Sequence, residues 1–309
     1  MSLSLLAAWL LDLLLGDPAW LPHPVVGFGK MIAWGERHLN KGRHRMMKGA
    51  VMTILHDVIV FFATWVLMHC TRPYPFLHYP IAVLLIFYCL AGTTLIREVR
   101  AVFLALDRSL EEGRRQVARI VGRDTSQLSA QEVRTAALET LAENLSDGVV
   151  APLFWLAVGG VPAMLTYKMV NTQDSMIGYR TERYKDFGCW AARVDDVANF
   201  IPARLTALLM LLPYALVTFR FSLFAFVWRN GRRHASPNSG YPEAALAGIL
   251  NCRFGGPHYY FGQLFDKPYI GENDRQLTTA DMETAVRVNR VAEVLVIFAL
   301  FALFHLCTP

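Results

Sequence analysis

Charge is scarce in this chain of 309 residues: only 18% of them are Asp, Glu, Lys or Arg, where soluble domains average about 25%. Hydrophobic residues make up 54%, and the mean hydropathy is +0.32. A soluble protein of this length could bury a large core, so the distribution of apolar residues decides more than their number. Runs near 1–15, 49–70, 80–96, 149–169, 205–228 and 291–307 approach the roughly 20 residues that span a bilayer. The chain reads as an integral membrane protein.

Cysteine is also sparse. Cys70, Cys89, Cys189, Cys252 and Cys307 are scattered without a CxxC or a paired His spacing, which excludes a structural zinc site and a disulfide framework. Small apolar filler is the reading that remains for them. No phosphate-loop signature exists, because "GFGK" at Gly27–Lys30 is followed by Met31 and lacks GxxxxGK[ST]. A nucleotide would need another scaffold. No Ser-His-Asp triad is signalled locally, and no basic patch is interleaved with aromatics, so nucleic acid is not an expected partner. The net charge of +5 is ordinary for a membrane protein with basic loops. The first apolar run has no basic segment before it and no small-x-small cleavage site after it, so Leu3–Leu15 is read as a retained short helix. No internal repeat or low-complexity tract is present.

The basic residues that do occur set an expected topology. Lys30, Arg37, Lys41, Arg43, Arg45 and Lys48 place residues 30–48 on the cytoplasmic side, and the link 71–79, with Arg72 alone, faces out. Residues 49–70 and 80–96 then form a membrane hairpin, and 97–148 are cytoplasmic and amphipathic. Ser129, three residues before Glu132, has the pattern of a capping box. Beyond residue 149, single crossings would put the basic segment 171–204 outside. Broken or re-entrant helices at Pro152, Gly159, Gly160, Pro162 and Pro213 avoid that conflict. The expected fold is therefore all-α and polytopic, one integral membrane domain over 1–309 with cytoplasmic polar segments near 97–148, 171–204 and 229–290.

Four polar clusters border the apolar runs. Asp12 lies in the first run, either facing a cavity or snorkelling from a helix end. "GDPAWLPHP" follows it, with Asp17 in a turn and His23 held between Pro22 and Pro24. In "LETLAENLSDG" the acids Glu139, Glu143 and Asp147 fall four apart and share a helix face. That face is either solvated, ending at Gly148, or suited to acid–base work or cation binding, because crowded acids raise one another's pKa. Asn144 and Ser146 add neutral oxygens, and an oxygen-only set favours magnesium over zinc. "YKMVNTQDSMIGYR" puts Asn171, Asp174, Ser175 and Gly178 in one helical stripe flanked by Lys168 and Arg180. In "RVDDVANFIPARL", Asp195 and Asn199 share a face, and Asp195 and Asp196 either hold a metal or pair with Arg193 and Arg204. Downstream, "SPNSGYPEAALAG" and "FGGPHYYFGQLFDKPYIG" read as ordered loops whose glycines let backbone approach a bulky ligand.

Together these stretches resemble the adenosylcobinamide-phosphate synthase family of cobalamin biosynthesis, the CobD/CbiB type. The resemblance rests on "DLLLGDPAWLPHPVVGFGKMI", "ETLAENLSDGVVAPLFW", "YKMVNTQDSMIGY", "DDVANFIPARL", "SPNSGYPEAALAG" and "GGPHYYFG…KPYIG", and so covers nearly the whole chain. Residues 97–130 add little to it. Gln173, where leucine is expected, and Cys252-Arg253-Phe254 are mild departures.

The resemblance implies a multi-pass enzyme of the cytoplasmic (inner) membrane. Such ligases join the propionate carboxyl of adenosylcobyric acid to (R)-1-amino-2-propanol, or its O-phosphate, as an amide, consuming ATP as co-substrate with magnesium as its accompanying ion. On that basis Asp147, Asp174 and Asp195 are expected to hold magnesium-nucleotide, with Asn144 and Asn171 as neutral partners. Glu143 is the expected base, and Lys168 and Arg180 answer phosphate charge. Asp17, His23, Tyr260 and Lys267 are expected at the substrate entrance, with Ser175, Asp196, Asn199, Arg204 and Glu243 as further binding residues. Zinc, haem and iron–sulfur groups are not expected. The corrinoid, the aminopropanol and the lipid bilayer are expected partners, and other cobalamin-assembly enzymes are candidates. The competing class is a non-catalytic signalling protein of the AmpE type, which shares an "APLFWLAVGG"-like stretch, here Ala151–Gly160. A transporter with midplane acids would require paired hydropathy repeats, and none is found.

Overall fold

The computed structural model describes residues 1–18, 20–260 and 263–307, apart from the side chains of His258, Tyr260, Gln263, Phe265 and Cys307. Packing divides the chain into two compact units. The first comprises Met1–Ala91, Ala151–Asn199 and Ile297–Pro309, and the second Gly92–Val150 and Phe200–Val296.

The first unit holds α1 (Ser2–Leu15), α2 (Pro24–Leu39), α3 (Arg45–Thr71), α4 (Pro75–Phe87), α8 (Ala151–Ile177) and α9 (Cys189–Ala198). The buried stripe of α3 carries Thr53, His56, Thr64 and Thr71 among its apolar residues. Its exposed side carries Val51, Ile54, Leu55, Val58, Ile59 and Phe62. Polar inside and apolar outside is the reverse of a soluble helix, and it fits a helix whose outer face meets lipid. Gly49 lets α3 pack against the backbone of Phe187, since a Cβ there would lie 1.8 Å from that carbonyl oxygen.

The break expected in the apolar run after residue 149 is found within α8. Gly159 (φ −142°, ψ 21°) and Gly160 (φ 68°, ψ −163°) are non-helical, and Pro162 opens the second half. Only glycine tolerates the Gly160 backbone without strain.

The second unit holds α5 (Gly92–Arg108), α6 (Leu110–Val117), α7 (Ala130–Leu145), a π turn (Ser146–Val150), α10 (Phe200–Thr218), α11 (Ser222–Asn230), a 3₁₀ turn (Gly231–Arg233) and α12 (Gly240–Leu250). The expected capping box starts α7: Ser129 accepts from Glu132 N–H, and Glu132 accepts from the Ser129 backbone. The long helix α13 (Thr279–Cys307) follows.

Among the described residues, four segments are long and apolar enough to cross a membrane: Arg45–Thr71, Pro75–Arg108, Ala130–Ile177 and Phe200–Thr218. The molecule is an all-α polytopic membrane protein.

Three expectations are corrected. The break expected in the run 205–228 falls at Phe219, which takes a left-handed φ of 58° between α10 and α11, and not at Pro213, which lies inside α10. The acids of α7 do not precede a helix end at Gly148, since the π turn carries the chain onward into α8. The Gly-rich downstream loops form short ribbons. Here β1 (Phe254–Gly255) pairs with β4 (Tyr269–Ile270), and β2 (His258–Tyr260) pairs with β3 (Gln263–Phe265), both antiparallel. Gly255 and Gly256 there admit the chain's own Pro268 carbonyl and Tyr269 ring, so their freedom serves the fold.

Candidate functional site

Each unit builds its own buried acidic cluster. In the first, Asp195 on α9 is buried and receives the Asn199 carboxamide at 3.0 Å on Oδ2. Asn199 in turn accepts the Tyr167 hydroxyl at 2.8 Å. Asn171 of α8 also hydrogen-bonds Asp195, and Asp174 stands close enough to repel it. Burial, then Asp174, push the Asp195 carboxyl up to about 7. Among the described residues, its Oδ1 has no hydrogen-bond partner. Gly178 makes room for Asp174, whose Oδ1 lies 2.0 Å from where a Cβ would be.

A second group lies in the same unit. His23 caps α2 by accepting Val25 N–H at 3.1 Å on Nδ1, with its Nε2 3.9 Å from Asp17 and its ring edge-on to Tyr88. Burial lowers its pKa, with Asp17 opposing and Lys168 reinforcing that shift. Asp12 is fully buried at 0% exposure, which overturns the snorkelling alternative.

In the second unit, Glu139 is buried in an ion pair with Arg123 at 2.5 Å and accepts Gly255 N–H at 2.6 Å. Glu143, one turn on, is half-buried and accepts the Ser239 hydroxyl at 2.7 Å. Buried Glu243 faces His234 at 3.7 Å, and the Lys267 ammonium lies 3.5 Å from the same imidazole. Burial first, then Glu139 and Glu143, hold Glu243 well above the usual carboxylate range, against Lys267 and Arg123. His234 is pushed down by burial and then by Lys267.

The structure thus brings Asn171, Asp174, Asp195 and Asn199 together, His23 with Asp17 and Lys168, and Glu143 with Glu243 and Lys267. Ser175 and Arg180 are exposed, and Arg180 acts on Asp196. Asn144 donates to the Thr140 carbonyl of its own helix. Asp147 falls in the π turn, beyond the α-helical register that Glu139 and Glu143 share. It belongs to the second unit, and Asp174 to the first. The Arg204 donors go to Phe200, Pro237 and Asn238, and its guanidinium packs on the Phe200 and Tyr241 rings. The side chain of Tyr260 lies outside the described residues.

Sequence reasoning missed Arg123, His234, Ser239 and Tyr167 as site residues, and left Glu139 without a role. Glu139 was visible one turn before Glu143. Arg123 carries no local signal, since it reaches Glu139 only through packing. The departure at Gln173 also gains a reason: its Nε2 donates to Asp57 of α3 at 3.0 Å.

The CobD/Cbib protein family model matches residues 5–289. The chain belongs to this family. It is 46% identical over 297 residues to the cobalamin biosynthesis protein CobD of Geobacter metallireducens, covering 94% of this chain and 93% of that one. It is 42% identical over 301 residues to the CobD of Klebsiella pneumoniae, covering 95% and 94%. It is 39% identical over 306 residues to the cobalamin biosynthesis protein CbiB of Salmonella typhimurium, covering 96% and 95%. No solved structure matches the chain. Membership of the family carries a role in cobalamin biosynthesis.

Among the described residues, no three His, Cys, Asp or Glu side chains converge as a metal cage. Magnesium does not need one, because it binds through one or two carboxylates plus substrate phosphates and keeps several waters. Asp195, with an unpartnered Oδ1 and Asp174 beside it, fits that requirement.

Proposed function

We propose that this chain is the ATP-dependent ligase of the cytoplasmic membrane that joins adenosylcobyric acid to (R)-1-amino-2-propanol or its O-phosphate. The observation that carries the reading is the contrast between Glu139 and Glu143 on one helix. Glu139 is buried with its charge answered by the Arg123 guanidinium and the Gly255 N–H, which favours the anion and makes it a poor base. Glu143 receives one neutral hydroxyl from Ser239 and keeps lone pairs for an incoming proton. Amide synthesis needs such a group, because the ammonium of the aminopropanol must lose a proton before its nitrogen attacks the activated propionate.

Asp174 and Asp195 are the residues that would hold magnesium with the nucleotide, and the ion would offset phosphate charge during carboxylate activation. Asn171 and Asn199 orient Asp195, and Tyr167 orients Asn199. Tyr167 also lines a cleft of 510 Å³ with Asp57, Trp155 and Trp190, a mostly apolar wall suited to the edge of a corrin. Lys267 and His234 supply positive or neutral donors beside Glu143 and Glu243.

The test uses the full chain in nanodiscs with adenosylcobyric acid and each amine, with and without ATP and magnesium, scoring amide by mass. Amide formed only with ATP and magnesium is the expected result. A well-folded chain that makes none with either amine would overturn the reading.

A further inference from the structure

A polar cleft of 680 Å³ in the first unit is lined by Glu36, Arg37, Asn40, Lys41, Arg45 and Arg183 among others. We propose that it is a binding site for the phosphate headgroup of an anionic glycerophospholipid. Four fixed cations stand there against one acid, and that acid is already answered. Glu36 takes the Arg183 guanidinium on both oxygens, at 3.0 and 2.9 Å, and the Asn40 carboxamide at 3.0 Å. Asn40 also donates to the Arg183 carbonyl at 3.1 Å. Arg45 donates to Asn40 at 2.7 Å and to the Glu182 and Arg183 carbonyls. These bonds build a fixed frame. Arg37 and Lys41 are exposed at its mouth, and among the described residues neither side chain makes a hydrogen bond or an ion pair. They are the cations left for a ligand.

Position selects the source of the phosphate. The 27 residues of α3 span about 40 Å, longer than the roughly 30 Å hydrocarbon core. Its first turn, from Arg45 to Lys48, therefore falls at headgroup depth. Trp34, two residues before Glu36, and Met46 and Met47, which follow Arg45, are exposed, and tryptophan favours that boundary. Basic pockets at this level suit lipid headgroups. A magnesium-nucleotide would need a carboxylate with a free oxygen, and Glu36, the one acid among the described residues that line the cleft, has both engaged.

The test is lipid binding by the full chain, delipidated and returned to phosphatidylcholine nanodiscs with or without phosphatidylglycerol. Retained lipid is read by native mass spectrometry and stability by thermal midpoint. Phosphatidylglycerol is expected to bind and to raise the midpoint of the wild type. Arg37→Gln with Lys41→Gln should weaken binding about thirtyfold, as the loss of two interfacial cations predicts, and Lys41→Arg should retain it. Lys41→Gln alone, in an exposed side chain, gives an intermediate reading should the double variant fold poorly. Equal binding by wild type and both glutamine variants would overturn the proposal. So would a midpoint shift produced by ATP or inorganic phosphate in pure phosphatidylcholine that phosphatidylglycerol cannot reproduce.

Discussion

Glu139 and Asp195 are both buried carboxylates, yet their surroundings answer their charge in opposite ways. Glu139 meets a guanidinium at 2.5 Å and a backbone N–H at 2.6 Å. Asp195 meets only carboxamides, with a second acid close by. A buried charge that is paired and hydrogen-bonded is held; one that is left to neutral partners invites a proton or a cation. The difference separates an anchor from a proposed site. Glu139 fixes α7 to the Gly255 turn, whereas the Asp195 carboxyl is left to take a proton or, under the reading proposed above, a magnesium ion.

The largest expected effect comes from breaking the anchor. Arg123→Met strands Glu139 beside Glu143 and Glu243, and uncompensated buried charge of this kind costs about 3–5 kcal/mol. A drop of that size in denaturant stability is the expected outcome, and adding Glu139→Gln should recover much of it. An Arg123→Met chain as stable as wild type would remove the distinction drawn here.

Next comes the base. Glu143→Gln keeps a partner for the Ser239 hydroxyl, so stability should hold within about 1 kcal/mol, while amide formation should fall by roughly 10²–10⁴-fold. Glu139→Gln should do the reverse, harming stability more than the rate measured on folded protein. The same loss of rate from both variants would mean that Glu139 and Glu143 act as one unit.

The Asp195 side of the comparison is sharpened by pH in magnesium-free protein. An unfolded aspartate titrates near 3.9, and the folded group near 7. The folded chain then binds the extra proton between those values. Stability from this group is complete below about pH 4, falls as pH rises toward 7, and is flat above it. Asp195→Asn should remove that slope, on the order of 2 kcal/mol once relaxation is allowed for. Chemical denaturation at several pH values in a chelator gives the reading, and an unchanged slope in the variant would sink the assignment.

Much of this was legible beforehand, for identifiable reasons. The Ser129–Glu132 cap, the break at Gly159-Gly160 and the Asp195–Asn199 pair are local, set by residues within four positions of each other. The anchor was not, because Arg123 reaches Glu139 across 16 positions and Lys267 reaches His234 across 33. Such pairs arise from packing, which hydrophobic periodicity does not encode. The π turn was missed for another reason. A constant 3.6-residue period was assumed through Asp147, and the chain abandons it there.

The smallest effect tests a departure from the family pattern. Gln173 is fully buried and gives its Nε2 to Asp57 at 3.0 Å, with Thr53 O at 3.4 Å, while its own Oε1 finds no partner among the described residues. Replacing it by leucine removes an unsatisfied oxygen, which helps, and takes a donor from a carboxyl on a membrane-crossing helix, which hurts. The second term is larger, because hydrogen bonds to a carboxylate exceed neutral ones. Gln173→Leu should therefore cost about 1 kcal/mol, read as a lowered thermal midpoint in nanodiscs. In an Asp57→Ala background the same change should be neutral or stabilising, so a double-mutant cycle isolates the pair. Additive effects in that cycle would mean that Gln173 fills space and that Asp57 draws its support from elsewhere.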